Sequence, residues 1–496
     1  MSANALPPSP AIADYLRQFW LAAGGDPAHL ARVAITGEGA LPSVFAVTEF
    51  ATAAIGAAGL AMAEFAAAGA GAAGPDSTGP GAIGQVTVDR RLASIWFGTT
   101  LRPVGWSAPP LWDAVAGDYR AADGWIRLHT NAPHHRDAAL AVLGVAADRD
   151  AVAQAVSRWR ADELETAVVA RNGCAAAMRG IDAWRQHPQG RGVAEEPLLH
   201  RDAGPAAARP QWRVRRQRPL QGLRVLDLTR ILAGPVATRF LAGYGADVLR
   251  IDPPGWEEPG TVPEVVLGKR CARLDLKSAE GLATLERLLG GADVLIHGYR
   301  ADALARLGLD AERRRQLNPT LVDVSLDAYG WSGPWQARRG FDSLVQMSTG
   351  IAEGRHARQR RRPSGAAAVP GARPRHRLSD GGRGDPRADR TACDGRRRQH
   401  ARVVGPQRAV ADHAWRHAGR RAGAGPGKRS GLVRGDRGNV MGPGPARQAA
   451  HADRRHARVV GLPGERVGLI RSGLAGRGAI GIRGMRGIRG IRGIRG

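Results

Sequence analysis

Leu223-Arg-Val-Leu-Asp-Leu-Thr229, continued by Arg230-Ile-Leu-Ala-Gly-Pro235 and the helical pattern Val236 to Gly243, decides how this chain folds. The first run is apolar and of strand length. The second turns it into a helix, and Pro235 suits a first helical position because its missing N–H is no loss there. A second strand follows at Ala246-Asp-Val-Leu-Arg-Ile251, and a third is expected near Cys271 to Leu276. Ser278 is placed to cap the next helix, which Gly290-Gly291 stops. Ala292-Asp-Val-Leu-Ile296, a helical run past Leu304 to Leu317, and the strand Asn318-Pro-Thr-Leu-Val-Asp-Val-Ser325 complete the series. Strands and helices alternating at this spacing predict an α/β fold, a Rossmann-like open parallel sheet with helices on both faces, over residues 219–354.

Outward from this half the signals weaken. On the N-terminal side, residues 1–201 read as a smaller mixed α/β region. It has an amphipathic helix around Tyr15 to Ala22, an Ala-rich helix from about Val44 to Phe65, a Gly/Ala/Pro/Ser linker through Gly84, and a strand Gln85-Val-Thr-Val-Asp89. Ala121-Ala-Asp-Gly-Trp-Ile-Arg-Leu-His129 predicts a hairpin turning at Asp123-Gly124. Between Asp148 and Arg185 the period is helical, with Trp159 and Leu164 as apolar anchors. Residues 202–218, rich in Ala, Pro and Arg, read as a linker.

On the C-terminal side the composition breaks. Of the 496 residues, those from Arg355 to Gly496 hold 35 Lys plus Arg against 8 Asp plus Glu, whereas the first 354 hold 37 of each. The basic pI of the chain therefore belongs to its tail, which is Arg, Gly, Ala and Pro and ends in Gly481-Ile-Arg-Gly-Met-Arg-Gly repeats. Such a segment lacks the apolar surface needed to offset its ordering entropy, so 355–496 is expected to be a disordered, low-complexity basic tail.

Cys174, Cys271 and Cys393 are far apart and form no C-x-x-C, which argues against a disulfide framework or a zinc site and fits a reducing cytosol. His134-His135 and the pair His413, His417 lack acidic or Cys partners at ligand spacing, so loop or solvent roles are expected and no metal. The start of the chain shows no basic segment followed by an apolar core. The apolar run Val44 to Ala68 is broken by Glu49 and Glu64, which favours a helix buried in protein over a membrane span.

The motifs Leu226-Asp-Leu-Thr-Arg-Ile-Leu-Ala-Gly-Pro235, Gly245-Ala-Asp-Val-Leu-Arg-Ile251, Gly268-Lys-Arg270 with Leu274-Asp-Leu-Lys277, Arg306-Leu-Gly308, Asn318-Pro319, Tyr329-Gly330 and Gly340-Phe-Asp342 resemble the class III CoA-transferases, the carnitine, bile-acid and formyl-CoA transferase family. Each is weak alone, and seven in order are specific. Residues 1–201 resemble the second half of such an enzyme, through Gly84-Gln-Val-Thr-Val-Asp89, Leu92, the Asp-Gly hairpin and Arg191-Gly192. The order is inverted, a back half before a front half, as in a tandem or fused arrangement. The resemblance breaks off after Gly354. Shifting the reading frame of the codons for Ala372 to Gly382 permits Leu-Asp-His-Ala-Thr-Gly-Tyr-Leu-Met-Ala, which looks like the family's nucleophile segment, so the tail reads as the product of a frame change near Arg355.

The resemblance implies transfer of coenzyme A between an acyl-CoA thioester and a carboxylic acid. In that family an Asp carboxylate attacks the thioester, passes through a mixed anhydride, and becomes an aspartyl-CoA thioester; the acceptor carboxylate then reverses the sequence. CoA is then a substrate, with no permanently bound cofactor, and the partners implied are acyl-CoA, a carboxylic acid and a second copy in a homodimer, in the cytoplasm. Laying Val47-Thr-Glu-Phe-Ala-Thr-Ala-Ala-Ile-Gly-Ala57 against the nucleophile segment puts Glu49 at the position of the Asp, one methylene longer. The alternative for Glu49 is a helix N-terminal carboxylate favoured by the dipole. For CoA, the resemblance implies that Ile231 and Ala233 line it, Lys269 approaches its phosphates, Tyr299 and Ala303 flank the adenine side, and Arg306 and Tyr329 complete the site. Departures are Gly298, Ala301-Asp302 and Asp327, the last standing where a neutral or basic residue is usual. Phe341 stands where the racemase branch has a His, which argues against racemase activity.

Two other functions compete. A dinucleotide-binding oxidoreductase would use Asp252 on the ribose, but Ala233-Gly234-Pro235 is no G-x-G-x-x-G. A nucleic-acid-binding protein would use the Arg-rich tail, which nearly lacks the aromatic residues useful for base stacking.

Overall fold

A computed structural model describes residues 8–69, 83–98, 100–206, 214–215, 217–361 and 396–404. The chain begins with α1 (Pro10–Ala22), β1 (Val33–Thr36), α2 (Val47–Gly69), β2 (Val86–Asp89) and α3 (Arg90–Gly98). It continues through β3 (Gly117–Arg120), β4 (Trp125–Leu128), α4 (Pro133–Leu143), α5 (Arg149–Val156), α6 (Ala161–Ala170), β5 (Ala175–Ala177), α7 (Ile181–Gln186) and α8 (Pro188–Glu195). The second half holds β6 (Leu199–Ala206), β7 (Arg224–Leu228), α9 (Ala233–Gly243), β8 (Asp247–Asp252), α10 (Val262–Val265), β9 (Arg270–Arg273) and α11 (Ala279–Gly291). It ends with β10 (Val294–His297), α12 (Ala311–Leu317), β11 (Val322–Asp327), α13 (Asp342–Ser348), α14 (Ile351–Arg361) and β12 (Arg396–Val404).

The second half is α/β with a largely parallel sheet, as expected. Its sheet runs β6-β12-β11-β10-β7-β8-β9, parallel throughout except for the antiparallel edge strand β6. Apolar residues of neighbouring strands alternate between the two faces. Leu226, Leu228, Ile251 and Leu295 pack with Leu285 and Leu289 of α11 on one face, and Val225, Val248, Val294 and Ile296 pack with Leu241 of α9 on the other. Ser278 caps α11 through the Gly281 N–H at 3.1 Å, as its position predicts.

The N-terminal region builds two smaller layers. In the first, Ile12, Tyr15 and Trp20 of α1 pack on Phe50, Ala53 and Leu60 of α2 beside the β1–β2 pair. Helix α2 is long and apolar enough to cross a membrane by length and composition, yet 67% of its apolar window is buried inside the protein. Its far end, Met62 and Phe65, inserts among Leu220 and Leu223 before β7, Leu241 of α9 and Val294 of β10. The second layer is the β3–β4 hairpin at Asp123-Gly124, extended by β5 and covered by α4, α5 and α6.

Several expectations are corrected. Residues 202–206 of the expected linker belong to β6, and β6 and β12 pair within the large sheet. The supposed tail therefore contributes a helix end and a strand, α14 and β12, while 362–395 and 405–496 lie outside the described residues. Pro235 is the third residue of α9, where its missing N–H is still one that no helix carbonyl would accept. His135 is not a solvent residue: it is 3% exposed on α4, and burial pushes its imidazole down to about 4. His413 and His417 lie outside the described residues.

Candidate active site

The strand order reverses between β7 and β10. From β7 the chain adds β8 and β9 on one side, then crosses back to place β10 and β11 on the other. A crevice at the carboxyl ends of such a strand pair is where open α/β sheets take their ligands. Here the crevice is bounded by the turn after Leu228 and the segment after His297.

The first turn is tight. Gly234 has no room for a side chain, since a Cβ there would come within 2.3 Å of Thr229 Cγ2. Ile231 holds φ 66°, a left-handed conformation that costs a β-branched residue about 1–2 kcal/mol. Its N–H donates to Glu258 Oε1 at 2.9 Å, an oxygen that also accepts from Trp256 Nε1 at 2.7 Å. Glu258 Oε2 accepts from Arg250 Nη2 at 2.8 Å, and Arg250, 1% exposed, forks onto Asp252 as well. Arg230 crosses the crevice. Its Nη1 donates to the Ile251 carbonyl at 3.1 Å and its Nη2 to Tyr299 Oη at 3.0 Å, with Asp252 Oδ1 at 3.2 Å. The guanidinium lies over the rings of Trp256 and Tyr299, with centroids at 5.8 and 5.6 Å. Ile231, Ala233 and Tyr299 are thus brought to one crevice, and Ala303 lies in the turn that follows Tyr299.

Other expected residues are placed differently. Lys269 does not face phosphates: its side chain and that of Asp227 are both 0% exposed, and Nζ donates to Asp227 Oδ2 at 2.9 Å, Pro235 O at 2.8 Å and Thr238 Oγ1 at 2.6 Å. Burial would push Asp227 up, but Lys269, Thr229 and Thr238 outweigh it and hold the carboxyl below the usual range. This pair sits beneath the turn and ties β7, α9 and the segment before β9 together. Tyr329 is likewise internal. It is 2% exposed, packs with Trp184 and Val345, and lies with its hydroxyl 3.3 Å from Ser348 Oγ, and burial pushes the phenol up to about 12. Neither residue has the surface needed to touch a nucleotide. Arg306 is exposed and pairs with Asp302 at 2.6 Å.

Glu49 lies in the first turn of α2, where the helix dipole favours a carboxylate. Arg90 Nη2 donates to its Oε1 at 2.5 Å. Thr48 Oγ1 and Ser94 Oγ, 2.9 Å apart, join the same two helices, next to Glu49 on α2 and one turn beyond Arg90 on α3. Sequence reasoning missed Arg90, Arg230 and Glu258. Arg230 adjoins Ile231 and was open to notice, whereas Arg90 and Glu258 show their roles only through partners distant in sequence.

Comparison with known proteins bears on this arrangement. Residues 220–370 match the model of CoA-transferase family III. The matched segment begins just before β7, contains the whole crevice, and runs past Gly354, where the motif resemblance ends. A succinate–glutarate CoA-transferase of Agrobacterium fabrum is 38% identical over 155 residues, 27% of this chain and 39% of that protein. An acyl-CoA transferase of Gibberella moniliformis is 29% identical over 269 residues, 49% of this chain and 47% of that protein. The chain thus spans less than half the length of these relatives. Among solved structures, that of Rv3272 from M. tuberculosis is 26% identical and covers 42% of this chain and 61% of that one, with a TM-score of 0.33.

Proposed function

We propose that the chain transfers coenzyme A between an acyl-CoA and a carboxylic acid, with the CoA held in the β7–β10 crevice and Glu49 as the carboxylate nucleophile. The observation that carries this reading is the crevice itself: a strained turn at Ile231 faces Tyr299 across the strand-order reversal, inside the segment that matches family III. The half-buried residues Ile231 to Ala233 of the turn, at the N-terminus of α9, form the wall offered to a pantetheine arm. Tyr299 and Ala303 offer an apolar flank for the adenine, and Arg306 supplies an exposed cation for phosphate. Glu49 is half-buried, so an anhydride formed there is partly shielded from water. The chain is read as a back half joined to a front half, cytoplasmic, acting as a homodimer.

Incubation with succinyl-CoA, a donor suggested by the names of the relatives, followed by hydroxylamine and mass spectrometry, tests the proposal. A hydroxamate on Glu49, absent from Glu49→Gln, is expected. An unlabelled protein would remove Glu49 as nucleophile.

A further inference from the structure

Arg90 is the first residue of α3, whose start is capped by Asp89, Oδ1 accepting the Arg91 and Leu92 N–H groups at 2.8 and 3.1 Å, so the Arg90 side chain is left free to turn toward α2. Its only hydrogen-bond acceptor among those described is Glu49, through Nη2 at 2.5 Å, while its Nε is buried with no hydrogen-bond partner. Nε and Nη2 form one edge of the guanidinium fork, the edge that grips a carboxylate through two parallel bonds. A buried N–H left unpaired is costly, so this edge is made for more than the single bond that Glu49 provides. The position is firmly held: Ser94 Oγ donates to the Arg90 carbonyl at 2.9 Å and is itself joined to Thr48, the neighbour of Glu49. Arg90 and Glu49 are only 23% and 19% exposed, which limits solvent screening of whatever charge faces the guanidinium.

We propose that Arg90 anchors the carboxylate of the acid substrate and becomes available to it when Glu49 loses its charge. This rests on the nucleophile reading of Glu49. In the resting protein the guanidinium is neutralised by Glu49. When a Glu49 oxygen attacks the thioester carbonyl, the C–S bond breaks, CoA departs as thiolate, and Glu49 becomes one half of an uncharged mixed anhydride. Attack of the thiolate on the Glu49 carbonyl then releases the donor acid as a carboxylate and leaves an uncharged glutamyl thioester. At that point Arg90 has lost its protein counter-ion, and a free carboxylate takes its place. The acceptor carboxylate, held there, lies beside the Glu49 carbonyl. Its attack expels CoA thiolate, the thiolate then attacks the acceptor carbonyl, and Glu49 returns as a carboxylate to Arg90. One cation thus serves the enzyme carboxylate and the substrate carboxylate in turn.

Glu49→Gln imitates the uncharged state of the nucleophile, so binding of an acid to it reads the anchor without any turnover. Succinate is titrated by calorimetry into the full chain as wild type, Glu49→Gln, and Glu49→Gln combined with Arg90→Met or Arg90→Lys, with circular dichroism confirming the fold of each. Glu49→Gln is expected to bind succinate at least about tenfold more tightly than wild type, and Arg90→Met to abolish the gain. Arg90→Lys, which keeps the charge and loses the fork, is expected to retain only part of it. Equal succinate affinity in wild type and Glu49→Gln, or a gain that survives Arg90→Met, overturns the proposal. Hydroxylamine trapping separates the two readings: a labelled Glu49 without succinate binding to Glu49→Gln refutes the anchor alone, whereas an unlabelled Glu49 refutes the nucleophile and with it the exchange at Arg90, whatever succinate does.

Discussion

Replacing Asp327 by Asn should stabilise the protein above neutral pH and do nothing in acid. Asp327 ends β11, is 6% exposed, and accepts the Tyr329 and Gly330 N–H groups on Oδ1 at 2.7 and 2.8 Å. Burial pushes its carboxyl up to about 7, the two N–H bonds act in the opposite sense, and Glu196 adds a further upward push. Glu196 is itself held by the N–H groups of Trp331 and Ser332, with His200 Nε2 at 3.2 Å. The folded state therefore keeps a proton that the unfolded chain releases at the ordinary carboxylate value of 3.8. Stability from this group is fully present below pH 3.8, declines as the pH rises, and is lost by the time the pH passes about 7. With a rise of about three pH units at about 1.36 kcal/mol each, the loss approaches 4 kcal/mol above pH 7. The Asn amide keeps the Oδ1 acceptor and carries no charge at any pH. The difference in unfolding midpoint between Asp327→Asn and wild type, followed by circular dichroism, should be near zero at pH 4, grow through pH 5 and 6, and level off above pH 7. A difference that does not change between pH 4 and pH 8, or a less stable Asn variant at pH 8, would refute the reasoning.

Lys269→Met should cost about 3–5 kcal/mol by leaving Asp227 buried without its cation, and Asp227→Asn added to it should recover part of that loss; unfolding midpoints in urea read both. Ile231→Gly should raise the melting temperature slightly by relieving about 1 kcal/mol of left-handed strain, while weakening CoA retention on a CoA-affinity resin because the turn loses its fixed shape. Ser278→Ala should cost about 1 kcal/mol through loss of the α11 cap, with CoA retention unchanged. The gene itself, read in the shifted frame across the codons for Ala372 to Gly382, should encode an Asp followed by an apolar helical run; a stop codon or an unrelated peptide there would refute the frame change.

The parallel strands of the second half were legible because each is an apolar run bounded by its own turn chemistry, and that evidence is local. β5 was missed because three alanines carry no strand preference and form a strand only by pairing with Ile126, Arg127 and Leu128. β6 was hidden in a stretch whose Ala, Pro and Arg content reads as a linker, and its pairing partner lies in a segment whose composition argues against order. The same limit governs the charged residues. Lys269 announces a cation, but its partner Asp227 stands 42 positions earlier, so nothing local distinguishes a phosphate ligand from a buried brace. Asp327 is the reverse case: its departure from the family pattern was visible, and the buried turn at Tyr329-Gly330 explains how an acid is accommodated there, as a carboxyl that still holds its proton near neutrality. Glu49 and Arg90 show most clearly why pairs escape a linear reading. Glu49 at the start of α2 agrees with its helix dipole and looks structural, whereas Arg90 at the start of α3 opposes its own and looks accidental. The fold sets the two helix starts side by side, and the cation then has a reason: it faces a carboxylate whose charge the proposed chemistry removes and restores in every cycle.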